Sequence, residues 1–350
     1  MISRLKRRSL FKHLFLGTLS LSLTATLTNC AAQPQAGSPT TDTSQASPVA
    51  SPASAATTVL RVGFISSDGG KIPVGLEGWA QEQGYLASEL KSLGISEVKF
   101  FPFSGGPALN ESLASGALDM GLYGDTPALV GRAAGLKTKL INQSRVGQDS
   151  WLLTVQDGPK SLEALKGKKV GVAKGTYMHR YLLGLIDQSG LAKAVKVVQI
   201  PTVDAKAALE RGEIAAYPFP TGSGPLLASK GFPILDQATN HTGLVGTSVS
   251  IATEDLLAKY PELPRQWNQI RQRALQAAKA NPEAFYQFAS KTSKKLPLLV
   301  IKESYAIDLY PNQPFTDEGI RLLNSTKQFL ADQKLLKSNF EIQDWQAANP

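Results

Sequence analysis

The chain has a single cysteine, Cys30, and three histidines, His13, His179 and His241. One cysteine excludes a disulfide within the chain, and a structural zinc site needs more thiols and imidazoles than remain. Nucleophile and phosphate motifs are missing too: there is no Gly-x-Ser-x-Gly elbow, no Gly-x-x-x-x-Gly-Lys-Ser/Thr loop and no Gly-x-Gly-x-x-Gly fingerprint. Beyond the N-terminal segment no apolar run reaches the 18 residues of a membrane span. Lys and Arg do not cluster with interleaved aromatics, so no nucleic-acid partner is expected. These absences argue against catalysis; no metal and no cofactor is expected.

What is present begins with an export pattern. Arg4, Lys6, Arg7, Arg8 and Lys12 form a basic front, and Leu14 to Asn29 carry no charge. That is the length of a signal-peptide core, too short for a span. The run ends in Leu-Thr-Asn-Cys at Cys30, which resembles a lipoprotein box, with Asn29 where Gly or Ala is usual. Cys30 is therefore the expected lipidation site and residues 1–29 the signal. "KRRSLFK" also fits a twin-arginine signal, and an ordinary Sec signal fits as well. Without residues 1–29 the formal charge of +9 loses five cations and falls to +4. Residues 30–57, Ala/Ser/Thr/Pro-rich with one charged residue, Asp42, cannot bury enough apolar surface to offset their chain entropy. They read as a tether of about 30 Å reach.

From Thr58 the pattern alternates strand and helix. Strands are expected at 58–65, 97–103, 118–124, 138–144, 150–156, 168–173, 194–200, 213–219, 232–236 and 247–253. Helices are expected at 73–94, 107–115, 126–135, 161–167, from Thr176, at 204–211 and at 224–230, with a mostly helical tail to about 335. Alternating βαβ units imply parallel-rich sheets with helices on both faces. The plan occurs twice, so two lobes are expected.

Ligands of open α/β sheets sit beyond the carboxyl ends of strands. Four such loops are rich in small and hydroxyl residues: "SSDGGK" with Ser67 and Asp68, "FSGGP" with Ser104, Gly105 and Gly106, "YGDTP" with Tyr123, Asp125 and Thr126, and "AKGTYMHR" with Gly175, Thr176, Tyr177 and His179. Unpaired amides at helix starts, approached through glycine and helped by hydroxyls, suit an oxyanion. The same residues are what any helix uses for caps and turns, so each loop alone carries either meaning. Asp125 reads as a cap rather than a base, and His179 as an anion donor or a structural group. Tyr123, Tyr177, Tyr217 and Phe219 are candidates to wall an organic tail, or else core. Tyr217-Pro218-Phe219-Pro220 has two prolines and must leave its sheet. Asp119 is expected to position its strand.

"SGALDMGLYGDTPALVGRAAG" (115–135) is similar to the Gly-x-x-Asp strand, Gly-Asp-x-Pro turn and Ala-Ala-Gly helix end of solute-binding proteins of the nitrate/sulfonate/taurine family of ABC importers. "FSGGPALNESLASG", "SLEALKGKKVGVAKGTYMHRYLLGLIDQSGL" and "VDAKAALERGEIAAYPF" follow the same family in order, across about residues 58–253. The resemblance implies an α/β type II periplasmic-binding-protein fold: two lobes, a cleft and two hinge crossings. Lobe 1 is then 58–147 with 246–350, and lobe 2 is 148–245. It also implies a monomer, exported and anchored by lipid, that hands a small anionic or organic solute to permease and ATPase subunits and is not an enzyme. The fourteen residues named in the loops and among the aromatics are the expected ligand set. Two features depart from the aliphatic-sulfonate branch. "AAYPFPTGSGP" lacks an acid where that branch has aromatic-Asp-Pro, and Tyr177 stands where it has Ser. A sulfonate or similar organic anion is expected, rather than taurine. A thiamine-pyrimidine precursor and nitrate or bicarbonate are the alternatives, with an enzyme on the same fold the remaining one.

Overall fold

Residues 58–66, 69–348 and 350 are described by a computed structural model of the chain. The signal, Cys30, the tether, Ser67 and Asp68 lie outside the described residues.

The first half runs β1 (Val59–Ile65), α1 (Leu76–Glu82), α2 (Leu86–Leu90), β2 (Glu97–Phe103), α3 (Gly106–Ala114), β3 (Met120–Gly124), α4 (Asp125–Ala133) and β4 (Thr138–Gln148). The helix expected over 73–94 is two helices. Gly84 takes a left-handed φ of 78°, which ends α1 as glycine commonly does. The second half runs β5 (Trp151–Leu153), β6 (Lys169–Val172), α5 (Tyr177–Gln188), β7 (Lys196–Gln199), α6 (Thr202–Glu210), β8 (Tyr217–Phe219), α7 (Ser223–Ser229) and β9 (Ile234–Gln237). Then come β10 (Gly246–Thr253), α8 (Glu254–Lys259), α9 (Leu263–Ala280), α10 (Pro282–Thr292), α11 (Leu298–Ser304), α12 (Asp317–Asp332) and α13 (Ile342–Trp345). The helix expected at 161–167 is only a 3-10 turn, Glu163–Leu165.

The first sheet has the order β2-β1-β3-β10-β4. β1 is parallel to β2 and β3, while β10 is antiparallel to β3 and β4. In the second, β5 lies antiparallel between β8 and β9, and β6 is parallel to β7. A parallel bridge from Val170 to Ala216, with Gly171 N–H to Ala216 O at 3.0 Å, ties β6 to β8. The spatial order is thus β7-β6-β8-β5-β9, the plan of the first sheet repeated. Both sheets are mixed rather than parallel-rich. The chain leaves the first sheet at the carboxyl end of β4 and re-enters at the same edge, so β10 must run backwards. The expectation that Tyr217-Pro218-Phe219-Pro220 leaves its sheet is not met: Tyr217–Phe219 stay in it as the short strand β8, paired with β5 and bridged to β6 through Ala216, and only Pro220 lies beyond the strand.

Apolar side chains fill both faces of the first sheet. Trp79, Trp267, Ile270 and Phe285 pack against one, and Leu109, Leu129, Leu323 and Trp345 against the other. Tyr181, Leu182 and Leu185 of α5 cover one face of the second sheet, and Leu209 and Leu227 lie in the core on the other. The tail from α8 onward packs mainly on the first sheet. It also meets the second half, where Gly222 N–H donates to Ser304 Oγ at 2.8 Å.

Candidate functional site

The carboxyl ends of β1, β2, β3 and β4 lie at one edge of the first sheet, and both chain crossings, 148–151 and 237–246, leave from it. Three of the expected helix starts open here. At α3, Ser104 is exposed and Gly105 is an extended cap without a side-chain bond. Gly106 is required by packing: a Cβ there would stand 2.3 Å from the Cβ of Pro127 in α4. At α5, Gly175 has φ 75° and Thr176 is the cap. Its Oγ1 accepts from His179 N–H at 3.3 Å and donates to Ala173 O at 2.6 Å. The His179 ring meets Phe329 of α12 edge-on at 6.1 Å. It also borders a cavity of about 330 Å³ shared with Lys174, Leu183, Val197, Gln333 and Leu335.

Asp125 opens α4 and is fully buried, 0% exposed. Its Oδ1 accepts from Thr126 N–H (2.6 Å) and Thr126 Oγ1 (3.0 Å). Its Oδ2 accepts from Thr247 Oγ1 (2.8 Å) and Thr326 Oγ1 (3.0 Å). A carboxylate has about four acceptor sites, and protein donors hold all of them. Asp125 therefore joins α4, β10 and α12, and Thr126 turns toward it. Asp119 acts similarly one strand earlier: it accepts Arg61 N–H (2.7 Å) and pairs with the Arg61 guanidinium (2.6 Å), tying β1 to β3.

The four aromatics turn inward. The Tyr123 hydroxyl donates to Asn110 Oδ1 at 2.6 Å. The Tyr177 hydroxyl donates to Asp149 O (3.2 Å) and accepts from Thr221 N–H (3.3 Å), stitching α5 to the first crossing. The Tyr217 hydroxyl donates to Ile200 O at 3.1 Å, and its ring lies 4.7 Å from Phe219. Burial pushes the Tyr217 pKa up to about 12, against the Thr202 hydrogen bond that lowers it. Tyr123, Tyr177, Tyr217 and Phe219 are all buried and belong to the core in this conformation.

The structure brings forward groups that spacing in the sequence did not single out. Arg180, 2% exposed, donates to Gly243 O and Val245 O and clamps α5 to the second crossing. Burial lowers its pKa and nearby Asp125 raises it. Glu77 of α1 pairs with Arg271 of α9, both buried, and Arg271 Nη2 donates to Ser144 O at 3.0 Å. Beside them is Arg145, near the carboxyl end of β4. Its guanidinium lies 5.1 Å from the Tyr305 ring centre, and its buried Nη1 has no hydrogen-bond partner among the described residues. The Tyr310 hydroxyl is buried without a partner too. Burial raises the Tyr310 and Tyr177 pKa values, and the charge of Arg145 opposes that at both. No sequence signal marked Arg145, which follows the expected strand 138–144 after the polar run Asn142-Gln143-Ser144.

The acids at this edge are committed. Glu77 is paired, Asp125 is saturated, and Asp149 accepts from Ser150 N–H, Gln237 Nε2 and both donors of Thr239. Among the described residues no group of three His, Cys, Asp or Glu is placed to hold a metal ion. A depression of about 900 Å³ lies at the opposite edge of the sheet, beside Arg61, Asp119, Lys137 and Lys259. It takes in none of the expected helix starts.

Solved structures share this architecture. The periplasmic aliphatic sulphonate binding protein SsuA from Escherichia coli superposes with a TM-score of 0.68 at 23% identity, over 83% of this chain and 98% of that one. The desulfurization enzyme DSZB superposes with a TM-score of 0.65 at 16% identity, over 83% of this chain and 96% of that one. The fold is that of periplasmic binding proteins. In sequence, residues 79–285, more than half of the chain, match the NMT1/THI5-like family, and the chain belongs to it. A putative aliphatic sulfonates-binding protein of Bacillus subtilis (strain 168) is 30% identical over 141 residues, 39% of this chain. That alignment spans 42% of the relative's length. Among the described residues no helix is long and apolar enough to cross a membrane.

Proposed function

We propose that the chain is the exported solute-binding component of an ABC importer and captures a small organic anion, sulfonate-like, between two lobes. Lobe 1 is 58–147 with 246–350 and lobe 2 is 148–245. Signal removal at Cys30 leaves a lipid-anchored chain on a tether. The observation that carries the anion reading is the imbalance at the crossings. Every carboxylate described there is held by protein donors, while the Arg145 and Arg180 guanidiniums each keep a buried donor unused. The sulfonate-binding names of the similar proteins support the same class. The helix starts at Gly105–Gly106 and at Thr176 stand at the rims of the two lobes and complete the ligand set. Binding without turnover is the reading for the reaction, since Asp125 has no acceptor left for a substrate proton.

A thermal-shift panel of alkanesulfonates, taurine, sulfate, nitrate, bicarbonate and a thiamine-pyrimidine precursor tests this. An alkanesulfonate raises Tm with the logarithm of its concentration, equivalent to about 2.7 kcal/mol at one hundred times Kd. Taurine gives a smaller shift, as no described carboxylate is open to its ammonium. No shift from any organic anion at millimolar concentration contradicts the proposal, and so does release of sulfite during incubation.

A further inference from the structure

Two buried polar atoms near the first crossing have no partner among the described residues: Arg145 Nη1 and the Tyr310 hydroxyl. Tyr310 is 3% exposed, so its hydroxyl has left water without a replacement bond. Such a group costs free energy in the unliganded fold, and among the buried atoms without a partner these two stand out because a cation and a hydroxyl donor lie together beside a crossing. The two belong to one neighbourhood. The segment carrying Tyr310 packs on β4, where a Cβ at Gly147 would stand 3.5 Å from Leu309 Cδ2. Burial raises the Tyr310 pKa and the charge of Arg145 opposes that rise, with Tyr305, Glu77 and Arg271 after it. A Cβ at Gly75, before α1, would stand 3.7 Å from the Tyr310 hydroxyl and 3.6 Å from Glu77 Oε2. Opposite them Tyr177, from the second half, feels the same Arg145 charge, and Gly222 is bonded to Ser304 next to Tyr305. The place is therefore a polar layer between the two halves, with the Tyr305 ring beside the Arg145 guanidinium.

The layer holds two guanidiniums and the carboxylates of Glu77 and Asp149. Arg271 is spent on Glu77 and on Ser144 O. Asp149 is spent on Ser150, Gln237 and Thr239. Arg145 keeps its buried Nη1 unspent; Arg180 keeps Nε unspent as well, but both its Nη groups are fixed on Gly243 O and Val245 O at the second crossing. We propose that Arg145 and Tyr310 form the anion-recognition pair of this site. Nη1 and the phenolic O–H donate to two oxygens of a monoanionic headgroup, and the rest of the ligand is uncharged. The assignment rests on the solute-binding reading above and narrows its substrate class to alkyl or aryl monosulfonates and their isosteres. It also makes the hydroxyl of Tyr310 a recognition group that lowers the stability of the empty fold.

The test uses butanesulfonate as the probe and titration calorimetry on the full chain, with unliganded Tm measured alongside. Arg145→Met keeps the stem and removes the charge; it weakens binding about 100-fold. Tyr310→Phe removes one oxygen; it weakens binding about 10-fold while the unliganded Tm stays level or rises. Arg61→Met, at the far edge of the sheet, leaves affinity unchanged. If the wild type binds butanesulfonate and either Arg145→Met or Tyr310→Phe binds within about two-fold of it, the pairing is overturned and the solute-binding reading stands. If the wild type binds no organic anion, both fall. A tyrosine of merely structural use shows the reverse signature, a lower unliganded Tm with unchanged affinity.

Discussion

Burial pulls the His179 imidazole below its ordinary pKa of 6.5, and the charge of Lys174 pulls the same way. The folded state therefore favours the neutral ring, and between the folded and unfolded pKa values the unfolded chain binds more protons. The stabilisation is complete above pH 6.5 and is lost as pH falls through 6.5 toward the lower folded value. His179→Gln is expected to flatten that acid limb, so that Tm of the variant falls less than that of the wild type between neutral and mildly acidic pH. A melting series across this range checks it; parallel curves contradict a buried neutral His179. The neighbouring Thr176 cap is unaffected, because it is the His179 backbone N–H that it accepts.

At the scale of elements, one carboxylate joins three segments far apart in sequence. Asp125 at the start of α4 holds Thr247 of β10 and Thr326 of α12. Asp125→Ala leaves the hydroxyls of Thr126 and Thr247 and one amide without this acceptor, and is expected to cost about 3 kcal/mol in urea unfolding at unchanged m. A loss under about 0.5 kcal/mol places Asp125 outside the framework. The strands β1, β2, β3 and β10 were legible in the sequence, because each is a short apolar segment bounded by turn residues. The break between α1 and α2 was present as Gly84, but the apolar spacing ran on across it. The helix starts at Gly106, Asp125 and Thr176 were legible for the same local reasons that make caps recognisable. The aromatics were ambiguous, since Tyr123 and Tyr217 read as walls or core until Asn110 and Ile200 supply their hydroxyl partners. Arg145 was not legible. A cation just past the expected end of its strand acquires meaning only from Tyr305 and Tyr310, which the tail brings back to β4.

For the whole molecule, repetition of one strand order in both sheets is the reason the proposed site is placed between them. Each sheet presents strand ends and helix starts toward the crossings, and β4 and β10 connect the two. The halves meet through Gly222 N–H on Ser304 Oγ and through the His179 ring on Phe329, while Tyr177 and Arg180 hold the two crossings at Asp149 and at the carbonyls of Gly243 and Val245. A junction of this kind is suited to closing on a ligand that supplies the missing acceptors, because binding then favours whichever arrangement completes them. The central claim is that this chain binds a small organic anion and does not convert it. Calorimetric titration of butanesulfonate into the purified chain tests that most directly. Saturable heat at one ligand per chain, with the butanesulfonate recovered intact, is the predicted result. The absence of saturable heat at millimolar probe, or recovery of sulfite in its place, would contradict it.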